Sequence, residues 1–155
     1  MSTIFADNFK NTSGGDPVNI NEVKTDKLTG KTTAGSIPVQ GEGSATTNLQ
    51  QGLCKQWIHF NGTGTIAIVD SFNTTSITDN GTGDYQVTIA NDMGNDDYSV
   101  SGTMCFYATG TSSAARQGPA VNEHAVGSYQ VYCGSNTTVQ DDHEVVNLHT
   151  MGDLA

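Results

Sequence analysis

The chain of 155 residues carries 16 acidic against 6 basic side chains, a formal charge of −10 that repels nucleic-acid phosphate. Hydrophobic residues make up 35 %, enough for one core domain, and no window approaches the run of about 18 apolar residues that a membrane helix needs. A low charge content beside abundant Thr, Val, Ile and Gly argues against a disordered chain. Neither a nucleic-acid partner nor membrane insertion is therefore expected.

Residues 1–44 contain two brief alternating pieces, Thr3 to Phe9 and Pro17 to Val23, followed by LTGKTTAGSIPVQGEGSATT. This reads as extended structure. Its apolar residues are Ile4, Phe9, Val18, Ile20, Val23, Leu28, Ile37 and Val39. Their burial cannot offset backbone ordering at about 1–2 kcal/mol per residue. Two outcomes stay open: a flexible tail, or an attachment and shaft segment wound with partner copies into shared β-structure. The regular recurrence of the apolar residues favours the second.

In TTNLQQGLCKQW, residues 46–57, Leu49, Leu53 and Trp57 stand four apart, with Thr46 or Thr47 available as N-cap. The spacing predicts a short helical neck over residues 45–56 with one apolar edge. So short a helix is marginal alone, and Gly52 weakens it further. Its stripe must pack, either in threefold self-association around Leu49, Leu53 and Trp57 or beneath the domain that follows.

Residues 57–155 read as an antiparallel β-domain. In WIHFNGTGTIAIVDSFNTTSITDNGTGDYQVTI, two Asn-Gly-Thr-Gly copies sit between strand-like runs, and Asn61-Gly62 and Asn80-Gly81 are expected at type I′ turns. Two more half-buried strands run from Tyr98 to Phe106 and from Tyr129 to Cys133, and a last one from Val145 to His149. Between them ATGTSSAARQGPAVNEHAVG and GSNTTVQDDHE read as long loops. The fold expected is all-β: an extended N-terminal arm, a short helix, and a C-terminal antiparallel, sandwich-like knob.

Cys54, Cys105 and Cys133 are an odd number at wide spacings. They read as three reduced thiols, with a Cys105–Cys133 pair as the alternative. The opening MSTIFADNFK lacks the cationic start and apolar stretch of a signal peptide, which agrees with folding in a reducing cytoplasm.

No catalytic arrangement emerges, and the protein is not expected to be an enzyme. Asp96-Asp97 and Asp141-Asp142 are paired only in sequence, whereas glycosidic hydrolysis needs carboxylates set about 5–10 Å apart across a cleft. Asp141, Asp142, His143, Glu144 and His149 match no ligand spacing of defined geometry, so neither metal nor cofactor is assigned; a divalent ion bridging copies through Asp141 or His143 is the alternative. No Gly-x-Ser-x-Gly elbow and no phosphate loop is present. Carbohydrate recognition remains, because sugar C–H faces stack on aromatic rings while hydroxyls bond amides and carboxylates. Tyr107 and Tyr132 are expected to point away from the inward sets Met104/Phe106 and Tyr129/Val131. With Arg116 and His124 they form the candidate receptor site, packing between subunits being the other role open to them.

NTSGGDPVNINEVKTDKLTGKTTAGSI at 11–37, NLQQGLCKQWIHFNGTGTIAI at 48–68, DSFNTTSITDNGTGDYQVTI at 70–89 and the final GDLA at 152–155 resemble short tail-fibre and fibre-like virion proteins of marine tailed bacteriophages. Residues 99–150 match only in general character. The resemblance implies a homotrimeric virion protein made in the host cytoplasm. Its N-terminal part would attach to a phage tail or capsid protein, and its β-knob would face a host cell-surface glycan or protein. A capsid head fibre or decoration protein is the alternative within that class, and a stand-alone carbohydrate-binding module the alternative outside it.

Overall fold

The computed structural model describes residues 22, 24–30, 37–40, 44–108, 111–114, 118–136 and 139–155. The expected pieces Thr3–Phe9 and, but for Glu22, Pro17–Val23 lie outside the described residues. A small antiparallel hairpin, β1 (Pro38–Gln40) with β2 (Thr46–Asn48), runs into one helical turn, α1 (Leu49–Gly52). The strands that follow are β3 (Cys54–Asn61), β4 (Ala67–Phe72), β5 (Thr74–Gly81), β6 (Asp84–Ile89), β7 (Ser99–Ala108), β8 (Thr111–Ala114), β9 (Ala120–Ala125), β10 (Ser128–Tyr132), β11 (Gly134–Asn136), β12 (Val139–Gln140) and β13 (Val145–Met151). They form a five-stranded sheet ordered β4-β3-β13-β7-β8, a four-stranded sheet ordered β5-β6-β10-β9, and a β11-β12 hairpin, every pairing antiparallel.

The two larger sheets face each other because each presents alternate apolar side chains to one shared core. Ile58, Phe60, Met104, Val146 and Leu148 come from the five-stranded sheet, and Tyr85, Val87, Ile89, Tyr129 and Val131 from the four-stranded one, all buried. Phe60 meets Tyr85 edge-on across the gap, ring centroids 5.1 Å apart. The chain changes sheets between β4 and β5 at Asn73, whose φ of 53° places it in the left-handed region that Asn tolerates. Asn73 fixes this corner through its side chain: Nδ2 donates to Lys55 O at 2.9 Å, and Oδ1 accepts from Asn91 N at 2.8 Å.

Several expectations are corrected. The helix expected over 45–56 shrinks to α1. Asn48, rather than Thr46 or Thr47, caps it, Oδ1 accepting from Gln50 N at 2.8 Å and Gln51 N at 3.4 Å. From Cys54 onward the backbone pairs with β13, and that ladder together with burial of Ile58 and Phe60 outweighs the four-residue spacing. Trp57 is therefore a strand residue. The boundary at 44/45 falls within the β1–β2 hairpin, and that at 56/57 within β3. The long loop expected over residues 108–127 contains β8 and β9, edge strands built from small and polar residues that burial patterning hides. The 134–144 loop contains the β11–β12 hairpin.

The Asn-Gly-Thr-Gly copies do make the turns, but not on their Asn-Gly steps. Neither Asn61 nor Asn80 has a positive φ. Asn61 accepts from Thr63 N and Thr63 Oγ1, at 2.8 and 2.7 Å, an Asx turn that opens the β3–β4 connection. In the second copy Gly81 pairs with Asp84, so the two-residue loop is Thr82-Gly83 with Gly83 at φ 66°. A register shift between Asp79 and Gly81 moves the turn along by two residues.

Both turns lie at one end of the sandwich, strapped down by the acidic segment before β13. Asp142 Oδ1 accepts from Gly83 N and from the Tyr85 hydroxyl, each at 2.7 Å, and that hydroxyl lies 3.2 Å from Gly62 O. Gly62 N donates to His143 O at 2.8 Å, and Cys133 N to Gly83 O at 2.7 Å. His143 is wholly buried, and loss of hydration pulls its pKa down against the opposing charges of Asp141 and Asp142. At the opposite end, Gln56 enters the core with its hydrogen bonds met: Oε1 accepts from the Tyr129 hydroxyl at 3.0 Å and Thr150 Oγ1 at 2.8 Å, and Nε2 donates to Thr74 Oγ1 at 2.8 Å.

No disulfide joins the three cysteines, of which Cys54 is exposed and Cys133 buried. Burial, with Asp142 adding, pushes the Cys133 thiol from 9.0 up to about 12. Because the folded value lies above the unfolded one, the buried thiol contributes stability in full below about pH 9 and loses it as pH climbs toward about 12. Three units correspond to an upper bound on the order of 4 kcal/mol. Urea midpoints recorded between pH 8 and 11 should therefore fall, and fall less steeply in Cys133→Ala. The remaining slope belongs to Tyr98, pushed up to about 12 by burial, and to the more deeply shifted Tyr85 and Tyr129.

Candidate functional site

The outward residues of the five-stranded sheet follow from its register. Trp57 on β3 stands beside Phe72 on β4 and His149 on β13, and His149 beside Ser101 on β7. One step toward the turns, His59 stands between Asp70 and Asn147; one step the other way, Met151 pairs with Ser99. Exposure is 54 % for Phe72, 36 % for Trp57, 38 % for Met151 and 51 % for Leu53, which ends the α1 turn just before β3. Val69, the extra residue at the β3–β4 register shift, is exposed as well. Trp57 and Phe72 are direct cross-strand partners, about 5 Å apart, and Met151 faces Cys54 next to Leu53, so exposed apolar side chains gather at this corner of the sheet, with Val69 set apart beyond Asp70. Contiguous apolar patches of this kind mark places where proteins meet.

The neck is attached to the same corner. Lys55 Nζ donates to Gln50 O and Leu53 O, which buries the lysine stem under the α1 turn, and Gln51 Nε2 donates to Asp153 Oδ1 at 2.7 Å. Gly94 N donates to Asp153 O and Ala155 N to Asp92 O, so the last residues are held at this end too. His149 Nε2 and Ser101 Oγ are hydrogen-bonded at 2.9 Å.

The other outer face differs in kind. Gln86 and Thr88 on β6, Ser128, Gln130 and Tyr132 on β10, Thr78 on β5 and Asn122 on β9 share it by register. It carries one aromatic ring and neither a Lys nor an Arg among these positions. Gln130 Nε2 donates to Asp84 Oδ1 at 2.7 Å. Partial loss of hydration, with the charges of Asp84 and Glu123, raises the pKa of Tyr132.

The predicted site residues scatter over the fold. Of the trimerisation candidates, Leu53 and Trp57 belong to the exposed apolar patch, while Leu49 is half-buried on the α1 turn. Of the receptor candidates, Tyr132 lies on the polar outer face near the turns. His124 sits at the other end of β9, where its ring meets Tyr98 at 5.0 Å, roughly 13 Å along the strands from Tyr132. The two do not converge. Tyr107 lies on β7 with its side chain outside the described part, and Arg116 lies outside the described residues altogether. Phe72, Met151, Asp84 and Gln130 escaped sequence reasoning, because only strand register reveals which face they share. Among the described residues no three His, Cys, Asp or Glu side chains come together, and no helix is long and apolar enough to cross a membrane.

No family model, curated protein or solved structure matches this chain.

Proposed function

We propose that the chain is a virion structural protein of fibre type, a homotrimer whose N-terminal segment attaches to the particle and whose β-domain faces the host surface. The observation that carries this reading is the apolar patch of Leu53, Trp57, Phe72 and Met151, set where the neck enters the sandwich. A second and third copy laid against the five-stranded sheet would remove that surface from water at about 25 cal/mol per Å² and bring three necks together. The shortage of apolar residues over 1–44 supports the same arrangement, since a shared shaft gives them partners. Adsorption then comes from avidity, three weak sites per fibre multiplied over several fibres.

The test is the solution mass of the full chain against a version starting at residue 49. The full chain should sediment as a trimer at micromolar concentration, and the shortened chain should dissociate at higher concentration. A full chain that stays single at tens of micromolar would overturn the reading.

A further inference from the structure

We propose that the outer face of the four-stranded sheet is a binding site for neutral saccharides, with the Tyr132 ring as stacking platform and the Asp84–Gln130 pair beside it as the hydrogen-bonding clamp. This deepens the fibre reading: with the five-stranded sheet turned toward its partners, this is the sheet face left to the outside.

The chemistry is that of the side chains which strand register gathers there. A pyranose presents an apolar C–H face and a rim of hydroxyls, so it needs a ring to lie on and amides or carboxylates around it. Tyr132, Asp84 and Ala120 form one row across β10, β6 and β9, and Gln130, Gln86 and Asn122 the next, so the ring adjoins two amides and a carboxylate, with Ala120 leaving room beside it. The clamp is already set. Gln130 Nε2 holds Asp84 Oδ1 at 2.7 Å, and Asn80 Nδ2 reaches the same oxygen at 3.4 Å. Gln130 Oε1 is buried and meets no donor among the described residues. A buried acceptor without a donor is costly.

Charge selects among glycans. Asp84 lies in the site, Glu123 near enough to act on Tyr132, and the chain as a whole carries −10. Sialylated or phosphorylated sugars are repelled, and among the described residues of this face no Lys or Arg stands to receive them.

The probe is an array of glucose-, mannose- and galactose-terminated glycans beside sialylated counterparts, exposed to the full chain. Binding should fall on at least one neutral class and pass over the sialylated ones. Tyr132→Ala should weaken it about tenfold or more, as loss of an aromatic anchor does, while Tyr132→Phe keeps most of it. Asp84→Asn, which preserves shape, should also weaken it and serves if Tyr132→Ala fails to fold. Absence of neutral binding, preference for sialylated glycans, or full retention in both Tyr132→Ala and Asp84→Asn would overturn the proposal. Sedimentation of the same samples separates the two readings: a trimer without sugar binding removes this site and leaves the fibre, and a monomer with Tyr132-dependent binding does the reverse.

Discussion

Replacing Trp57 and Phe72 together with glutamate should release single chains whose β-sandwich stays folded. Both side chains point away from the core, Trp57 is 36 % and Phe72 54 % exposed, and neither contributes to the buried cluster between the sheets. The circular dichroism spectrum should therefore keep its β character, and the sandwich's own stability should change by no more than about 0.5–1 kcal/mol, apart from the stabilisation that association gives the parent. Association is another matter. Truncating a central aromatic anchor commonly costs about 2 kcal/mol or more at each contact, and burying like charges against one another adds several more. Repeated around a closed ring, that lowers the association constant by several orders of magnitude. Sedimentation at tens of micromolar should show monomer for Trp57→Glu/Phe72→Glu and trimer for the parent. If the double variant keeps the parent's mass, the patch is not the interface. As a comparison, Gln86→Glu on the other sheet should leave the mass unchanged, because that residue lies on the polar outer face.

The second large effect lies at the strapped end. Gly83→Ala should cost about 3–5 kcal/mol, a large part of the total stability of an ordinary domain. Two causes add. At φ +66° an alanine costs about 1 kcal/mol from backbone strain alone. Its Cβ would also stand 2.4 Å from Cys133 O and 2.8 Å from Asp141 N, both backbone atoms that cannot step aside singly. To make room Cys133 and the acidic strap at Asp141 must move away from the turn, and with them go the bonds from Gly83 N to Asp142 and from Cys133 N to Gly83 O. Gly64→Ala separates the two causes. Its φ is +64° and nothing lies within 4 Å, so it should cost only the backbone strain. Equal urea midpoints for the two variants would mean that the strap yields freely.

How far the chain could be read in advance follows from what each element depends on. Strands with one buried face announce themselves by alternation: β3, β6, β7, β10 and β13 were legible because Phe60, Val87, Met104, Tyr129 and Leu148 each sit in such a pattern. Edge strands were not, since β8 is drawn from Thr, Ser and Ala and β9 from Ala, Val, Asn, Glu and His, with no apolar alternation, and their pairing is decided by a neighbouring strand. The helix was overestimated for a related reason. Leu49, Leu53 and Trp57 repeat at a helical interval, yet the backbone past Gly52 gains more from a ladder with β13 than from another turn. At the turns the residue types were right and the step wrong, because a bulge shifts the reversal from Asn80-Gly81 to Thr82-Gly83. Candidate sites suffered most. Tyr132 was picked out for its outward direction, but its neighbours Asp84 and Gln130 lie 48 and 2 residues away in sequence, and only the β6–β10 register joins all three. His124, grouped with Tyr132 as a residue of the expected long loop, packs on Tyr98.

The way the neck joins the sandwich also determines how the domain bears tension. A pull arriving through Leu53 enters β3, which is paired with β13 from Cys54 to Phe60 and with β4 from Trp57 to Asn61. The load therefore runs parallel to both ladders, so that many hydrogen bonds must slide and rupture together instead of opening one after another. A sandwich tethered at this corner and held at its far end would yield last at its point of attachment.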